Sequence, residues 1–294
     1  MNPTAKLIEG LDEHLTATCA ALYGSEAAGE VAAVRRVLRL ALGLIARSDA
    51  LYHDLYHTTQ VTLASQAILR GWHRADAIES DVWMHVTAAS ILHDIGMVRG
   101  VCAGDTNEES VVDHAGSRVS PPRGASDAYL TPYHVDRGMI FVRERAGELP
   151  EFDVERLARC IEMTRFPVPD APRYQNTGDE AGLVRAADLI GQLGDPHYLS
   201  KATALYHEFV ETGMDKVLGF RDAADLVEAY PAFFKTNFEP YLTDGLRHLE
   251  RTAEGRAWVA SLRANIAAAR STRRQHGPQS GPAAKRRVAR AHAD

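Results

Sequence analysis

The chain has 294 residues, of which 45% are hydrophobic and 24% are charged, values typical of a globular protein with a sizeable core. No hydrophobic stretch is long enough to span a bilayer, and the polar N-terminus does not resemble a signal peptide, so we expect a cytoplasmic protein with no membrane partner. The net charge of −6 divides into +5 over residues 271–294, with six basic residues and one acid, and about −11 over the other 27 basic and 38 acidic residues. An acidic body argues against a nucleic-acid polymer as the main ligand.

Helical periodicity dominates the first third of the chain. Apolar residues recur at i, i+3 and i+4 over residues 31–45, which predicts an amphipathic helix. A second helix is predicted over residues 53–69, ending near Gly71. A third is predicted to begin at Ser80 or Asp81, since both are favoured N-cap residues, and to run to about residue 94.

The segment 99–132 differs, because it is rich in glycine and proline and has weak periodicity, which predicts a long loop or lid. Helical patterns resume over residues 134–146, 154–163, 180–193 and 199–212, and again between residues 223 and 269, where Pro231 and Pro240 are predicted breaks. We therefore predict an all-α, multi-helix bundle forming one domain over residues 1–268. Residues 269–294 are predicted to be a basic, disordered tail.

Histidine and aspartate residues form the most informative pattern. His53 and His57 are four residues apart and would share one face of a helix, His93 and Asp94 are adjacent, and Asp188 lies far along the chain. Imidazole and carboxylate groups together suit a divalent metal ion. Convergence of these residues would predict a metal-dependent hydrolase.

Phosphoester hydrolysis assigns roles to these residues. His57, His93, Asp94 and Asp188 are candidate metal ligands, and Asp94 is also expected to orient the attacking water. His53 would lie beside the metal without binding it and could donate a proton to the leaving oxygen. Its neighbour on the chain, Asp54, would point about 100° away on a helix.

The ordered motifs Tyr52-His53-xxx-His57, His93-Asp94 and Ala187-Asp188-Leu189 resemble those of the HD-domain superfamily of metal-dependent phosphohydrolases. Residues 50–215 are most similar to the class I cyclic nucleotide phosphodiesterases. The resemblance implies that the first motif provides the general acid, His53, and one metal ligand, His57. It also implies that His93 and Asp94 provide two more ligands and that Asp188 provides the fourth. It also implies that His134 lies near a second metal and that Thr164 lies near the pocket.

The chain departs from the phosphodiesterase pattern at three points. Met97 replaces a histidine expected three residues after Asp94, and Asp54 replaces an asparagine that pairs with the acid histidine. The purine-binding glutamine has no counterpart, since no glutamine occurs from His197 to Arg274, and Asn237 is a weak replacement. Purine cyclic nucleotides are therefore not implied as substrates.

Further residues are candidate substrate contacts. Arg99 follows the doublet closely and could reach an anionic substrate, and Arg165 could bind phosphate beside Thr164. Gln192 follows Asp188 by four residues and so lies on the same helix face. With His134, these residues complete the predicted substrate site.

The leading hypothesis is a phosphodiesterase-like or nucleotide phosphohydrolase that cleaves a small phosphoester with Zn, Mg, Mn or Fe, at one metal site with a second possible. A di-iron oxygenase of the HD type is an alternative, which Met97 opposes and His134 leaves open. A non-catalytic metal-binding sensor module is a third. Exposed helices would allow a homodimer.

Overall fold

The helices predicted from periodicity are present, and the all-α fold class is confirmed. The computed structural model describes residues 3–275, with side chains up to residue 271. Within this range the α-helices are α1 (Pro3–Tyr23), α2 (Ala28–Ile45), α3 (Leu55–Asp76), α4 (Ser80–Leu92), α5 (His134–Glu144), α6 (Val154–Glu162), α7 (Glu180–Leu193), α8 (Tyr198–Thr212), α9 (Met214–Leu218), α10 (Ala223–Phe233), α11 (Thr243–Leu249) and α12 (Ala253–Gln275).

Two apolar clusters form the core of the bundle. The first joins α1, α2, α4, α5 and α6, and includes the buried stripe of α2 that periodicity predicted, such as Val34, Leu38 and Leu42. The second joins α3 and α7 to α8, α10, α11 and α12. Helices α3 and α7 are buried along most of their length and pack against each other at the centre.

Helix α3 differs from its prediction at both ends. It begins at Leu55 rather than at residue 53, because the Asp54 side chain accepts a hydrogen bond from the backbone N–H of His57 at 2.8 Å and so acts as the N-cap. It runs past Gly71 to Asp76. Gly71 is not a stop but a close contact, since a Cβ atom there would overlap the backbone carbonyl of His248 on α11.

Helix α4 begins at Ser80, with Glu79 rather than Ser80 or Asp81 in the N-cap position, and ends at Leu92. His93 is its C-cap residue, and a short 3₁₀ helix, Ile95–Met97, follows Asp94. The predicted doublet therefore lies at a turn between two elements.

The segment 99–132 is mostly irregular, as its composition predicted. Two short antiparallel strands, β1 (Ser110–Val111) and β2 (Arg118–Val119), pair Ser110 with Val119 and Val111 with Arg118, and a 3₁₀ helix, Asp127–Tyr133, leads into α5. The buried Arg137 side chain of α5 donates to the carbonyl oxygens of Gly96, Val98 and Val111. It therefore ties the segment to the turn after the doublet.

The C-terminal helices differ from prediction in detail. Pro231 lies inside α10 rather than ending it, and a π-helical turn, Phe234–Phe238, follows; Pro240 lies in the 3₁₀ helix Glu239–Tyr241. Helix α12 continues to Gln275, past the predicted domain end at residue 268. The remainder of the predicted tail, residues 276–294, lies outside the described residues. Helix α1 had no counterpart among the predicted helices.

None of the helices between residues 3 and 275 combines the length and the apolar character that crossing a bilayer requires.

Candidate metal centre

Three central elements bring the four candidate ligands together. His57 lies in the first turn of α3, His93 and Asp94 lie directly after α4, and Asp188 lies in the middle of α7. The close crossing of α3 and α7 places His57 and Asp188 side by side. Gly191 permits it, because a Cβ atom there would lie only 2.6 Å from the Cα of Val61.

The ligand atoms form one cluster. Oδ2 of Asp94 lies 3.3 Å from Nε2 of His57 and 3.1 Å from Nε2 of His93, and the two Nε2 atoms are 3.3 Å apart. Oδ1 of Asp188 lies 3.7 Å and 3.6 Å from the same two nitrogens. His57, His93 and Asp94 are buried, and Asp188 is partly exposed. The structure thus places all four predicted ligands together.

The cluster fits a divalent metal ion. Ligands about 2.0–2.2 Å from a metal lie about 2.8–3.6 Å apart in octahedral or tetrahedral geometry, close to the separations seen here. Oδ2 of Asp94 is buried and receives no hydrogen bond from the residues that the structure describes, which is costly for a carboxylate unless a cation compensates it. Nδ1 of His93 lies 2.8 Å from the carbonyl oxygen of Ser90, so its Nε2 can keep a free lone pair.

Burial and mutual charge set the protonation of the ligands. Burial would raise the pKa of Asp94, but His93 and His57 beside it hold this pKa well below its usual range, so Asp94 is ionised. Burial raises the pKa of Asp188, and the charge on Asp94 adds to this. Burial would lower the pKa of His93, but Asp94 and Asp188 raise it to about 9. Metal binding therefore requires that His93 release a proton.

His53 lies at the edge of this cluster, paired with an acid. It precedes α3 instead of sharing a helix face with His57, yet the two rings are 5.2 Å apart between centroids. Nδ1 of His53 lies 2.5 Å from Oε2 of Glu208, whose Oε1 accepts from the backbone N–H groups of Tyr52 and His53 at 2.7 and 3.2 Å. Burial would lower the pKa of His53, but the Glu208 carboxylate outweighs it and raises this pKa to about 9.

Residues 1–272 match the Npun_R2479-like family. The chain belongs to the Npun_R2479-like family. A search of the curated proteins finds no match to this chain.

In this Npun_R2479-like protein a cavity of about 200 Å³ opens beside the cluster. Its lining contains His53, Asp94 and Asp188, and also four of the five predicted substrate contacts, namely His134, Thr164, Arg165 and Gln192. The fifth, Arg99, is not part of the lining. Its guanidinium is paired with Asp127 and with Asp49, 3.1 Å away, so the structure holds it away from the cluster.

Three of these four lining residues can be compared by the contacts that they already make. Nε2 of His134 lies 3.5 Å from Oδ1 of Asp94, so this histidine adjoins the ligand cluster. The Thr164 hydroxyl donates to the Ile161 carbonyl oxygen at 2.8 Å. The Arg165 guanidinium pairs with two carboxylates, those of Asp136 and Glu162, which compensate its charge. Phosphate binding by Arg165 would therefore compete with two existing ion pairs.

Two residues that position the site were not predicted. Glu208 lies on the buried face of α8, in line with the apolar residues Ala202 and Leu205. Acids are rarely buried on such a face, so this mismatch in the helical pattern is the sequence signal that could have identified Glu208. Arg137 is fully buried on α5 and donates to Asp105 at 3.0 and 2.9 Å as well as to backbone carbonyls. An arginine on an apolar helix face gives a similar signal.

Proposed function

We propose that the protein is a metal-dependent phosphohydrolase that cleaves a small phosphoester, with His53 as the general acid. One observation carries the proposal. Oδ2 of Asp94, buried and without a hydrogen-bond donor, lies within 3.3 Å of two imidazole nitrogens, next to a third histidine that an acid holds protonated. Such an arrangement suits the cleavage of a bond to an anionic, poorly electrophilic phosphorus centre.

Each residue has a defined task in this proposal. His57, His93, Asp94 and Asp188 would hold a divalent ion, which when bound polarises the phosphoryl oxygen and acidifies water. Asp94 accepts a hydrogen bond from the attacking water and orients it toward phosphorus. His53 donates the proton on Nε2 to the leaving oxygen, while Glu208 retains Nδ1 and stabilises the imidazolium before transfer.

The sequence resemblance to HD-domain phosphohydrolases is a second, independent support, because it concerns the order of motifs and not their distances. The departure at Met97 falls inside the cavity lining, where this buried side chain cannot provide an imidazole ligand. A single complete metal site is therefore the arrangement we propose. In the phosphodiesterase pattern an asparagine pairs with the acid histidine, and this chain has Asp54 in its place. The residue that pairs with His53 here is Glu208.

The test is a substrate panel with matched variants. Bis(p-nitrophenyl) phosphate, p-nitrophenyl phosphate, nucleoside monophosphates and cyclic mononucleotides are assayed with Mg²⁺, Mn²⁺, Zn²⁺ or Fe²⁺. We expect turnover of at least one phosphoester, reduced about 1000-fold or more in Asp94→Ala and unchanged in Asp76→Ala, which alters an exposed residue at the end of α3. Equal turnover by wild type and Asp94→Ala on every substrate would refute the proposal.

The contact between His134 and Asp94 supports one other function, a di-iron oxygenase. Nε2 of His134 is 3.5 Å from Oδ1 of Asp94, so this carboxylate could bridge two ions. Metal analysis of protein purified without added metal separates the two functions. Two irons per chain and oxygen consumption with an organic substrate would favour the oxygenase, and tight metal binding without any turnover would favour a sensor.

A further inference from the structure

The cavity beside the cluster has one polar end and one apolar end. The polar end is formed by His53, Asp94, His134 and Asp188. The other end, here called the apolar chamber, is walled by side chains from α8, α9, α10 and the turn after α10, among them Leu205, Phe209, Leu218, Leu226, Phe233 and Phe238. Both ends belong to one continuous cavity, so a single ligand can occupy them together.

Two hydroxyl groups in the chamber lining already have partners. The Thr212 hydroxyl donates to carbonyl oxygens of its own helix at 3.0 and 3.3 Å, and the Tyr230 hydroxyl donates to the Leu193 carbonyl oxygen at 3.5 Å. The side-chain amide of Asn237, the proposed substitute for a purine-binding glutamine, donates to the Phe233 carbonyl oxygen at 3.1 Å and is not part of the lining. A nucleobase placed against these groups would therefore lose hydrogen bonds to water without gaining a donor from them.

The two arginines in the lining differ. Arg165 is compensated by Asp136 and Glu162. Arg185 donates to the carbonyl oxygens of Tyr174 and Asn176 and lies over the Tyr241 ring, 4.5 Å from its centroid, but its Nε is buried with no hydrogen-bond partner among the described residues. Recognition of a polar or anionic group is thus concentrated at the ligand cluster and at Arg185, three residues before Asp188 on α7, whereas the walls of the apolar chamber offer apolar burial.

We infer that the substrate is an amphipathic phosphoester, a phosphate ester of a long-chain alcohol. Its phosphate lies at the ligand cluster and its alkyl tail lies in the apolar chamber. This inference rests on the proposed function for the head group, whereas the tail is assigned by the chamber itself. Binding energy from the tail would then help to position the phosphorus next to Asp94 and His53.

Binding of n-alkyl phosphonates tests the inference, because their P–C bond resists hydrolysis. Phosphonates of two, six and ten carbons are titrated into the metal-loaded full-length protein by calorimetry, below the concentrations at which they form micelles. We expect affinity to rise about fourfold for each CH₂ that enters the chamber, until the chamber is full. Equal affinities for the ethyl and decyl compounds would overturn the inference, and this comparison needs no variant.

A matched pair of variants locates the tail. Ala229 lines the cavity, and Ala232, on the same helix, is exposed. Ala229→Phe should remove the dependence on chain length while ethyl phosphonate still binds as in wild type, which also shows that the variant is folded. Ala232→Phe should keep the wild-type dependence. The same dependence in both variants would overturn the inference.

Hydrolysis of the corresponding n-alkyl p-nitrophenyl phosphates separates this inference from the proposed function. If the esters are hydrolysed with the same kcat/KM for two-carbon and ten-carbon chains, the proposed phosphohydrolase function stands and the inference of an amphipathic substrate is overturned. Length-dependent binding of the phosphonates without hydrolysis of any ester would support the chamber as a tail site and refute the phosphohydrolase.

Discussion

Nδ1 of His53 lies 2.5 Å from Oε2 of Glu208, a contact that joins the start of α3 to α8 across 155 residues of sequence. The second Glu208 oxygen accepts from the backbone N–H groups of Tyr52 and His53, so the carboxylate is fixed by three contacts. This arrangement fixes the orientation of the His53 ring, and the carboxylate raises the pKa of His53 to about 9, which favours its protonated form. Nε2 is left free to face the cavity with a proton to donate.

Replacing Glu208 by glutamine should move the pH dependence of activity. A general acid works in its protonated form, so activity falls as pH rises through the pKa of His53, which is about 9 with Glu208 present. Without the carboxylate, burial lowers this pKa, and the fall should begin at least one pH unit lower. The pH profile of kcat for Glu208→Gln against wild type measures the shift.

The control for this variant is Glu211→Gln, which alters an acid on the same helix that accepts from Ser126 rather than from a histidine. It should leave the profile in place. A Glu208→Gln profile that coincides with that of wild type would show that Glu208 does not set the charge of His53.

The clustering of the four candidate metal ligands is predictable from the sequence because these residues occur in short, ordered motifs. His57, His93, Asp94 and Asp188 each belong to such a motif, and the structure brings all four together. Glu208 and Arg137 belong to no motif, since they act through contacts made by distant helices. Only their position on an apolar helix face distinguishes them from ordinary surface charges.

The helices were predictable in type, whereas some of their ends and contacts were not. Gly71 suggested a helix end on local grounds, but tertiary packing uses it for the close approach of α11 to α3. Arg99 was placed at the site because it is close to the doublet in sequence. Ion pairs with Asp49 and Asp127 determine its actual direction, and sequence proximity carries no information about such partners.

Metal content should distinguish the ligands from His134. His57→Ala removes one ligand nitrogen from the cluster, and Asp188→Asn replaces a carboxylate oxygen by a neutral amide oxygen, so we expect metal affinity to fall by at least 100-fold in the first and by a smaller factor in the second. His134→Ala should keep about one equivalent of metal, because this residue lies near Oδ1 of Asp94, whereas the Asp94 oxygen beside His57 and His93 is Oδ2. Inductively coupled plasma analysis and competition with a chelator measure this. Loss of all metal from His134→Ala would contradict the single-site arrangement.

The buried pair of Asp105 and Arg137 should contribute stability that depends on pH. Burial would raise the pKa of Asp105, but its hydrogen bonds from Arg137 lower it below the ordinary value. A carboxyl group with a lowered pKa stabilises the fold above its unfolded-state pKa of about 3.9, and this contribution is lost as pH falls through the folded-state value. Asp105→Asn, which leaves Arg137 buried without its acid, should cost about 3–5 kcal/mol at pH 7.

Urea unfolding of both proteins between pH 3 and pH 7 measures this contribution. The difference in unfolding free energy should be largest near pH 7 and should shrink toward pH 3. Asp76→Asn is the control, since this residue is exposed at the end of α3, and it should change stability by less than about 0.5 kcal/mol. A pH-independent cost for Asp105→Asn would show that its ionisation is not what stabilises the pair.

Replacing Gly191 by alanine should disrupt the candidate metal centre, although Gly191 is not one of its ligands. A Cβ atom there would lie 2.6 and 2.7 Å from the Cα and N of Val61, and these backbone atoms cannot move without separating α3 from α7. We expect Gly191→Ala to cost about 1–3 kcal/mol and to weaken metal binding at least tenfold, because His57 and Asp188 lie on the two separated helices.

Gly43→Ala is the matched control, since Gly43 lies within α2 and is exposed, and a Cβ atom there would meet nothing within 4 Å beyond the backbone of its own helix. Because alanine favours a helix over glycine, this substitution should stabilise the protein by about 0.5–1 kcal/mol and leave metal affinity unchanged. Urea unfolding and chelator competition on both variants make the comparison. If Gly191→Ala binds metal with wild-type affinity, the α3–α7 crossing is not what holds His57 and Asp188 in position.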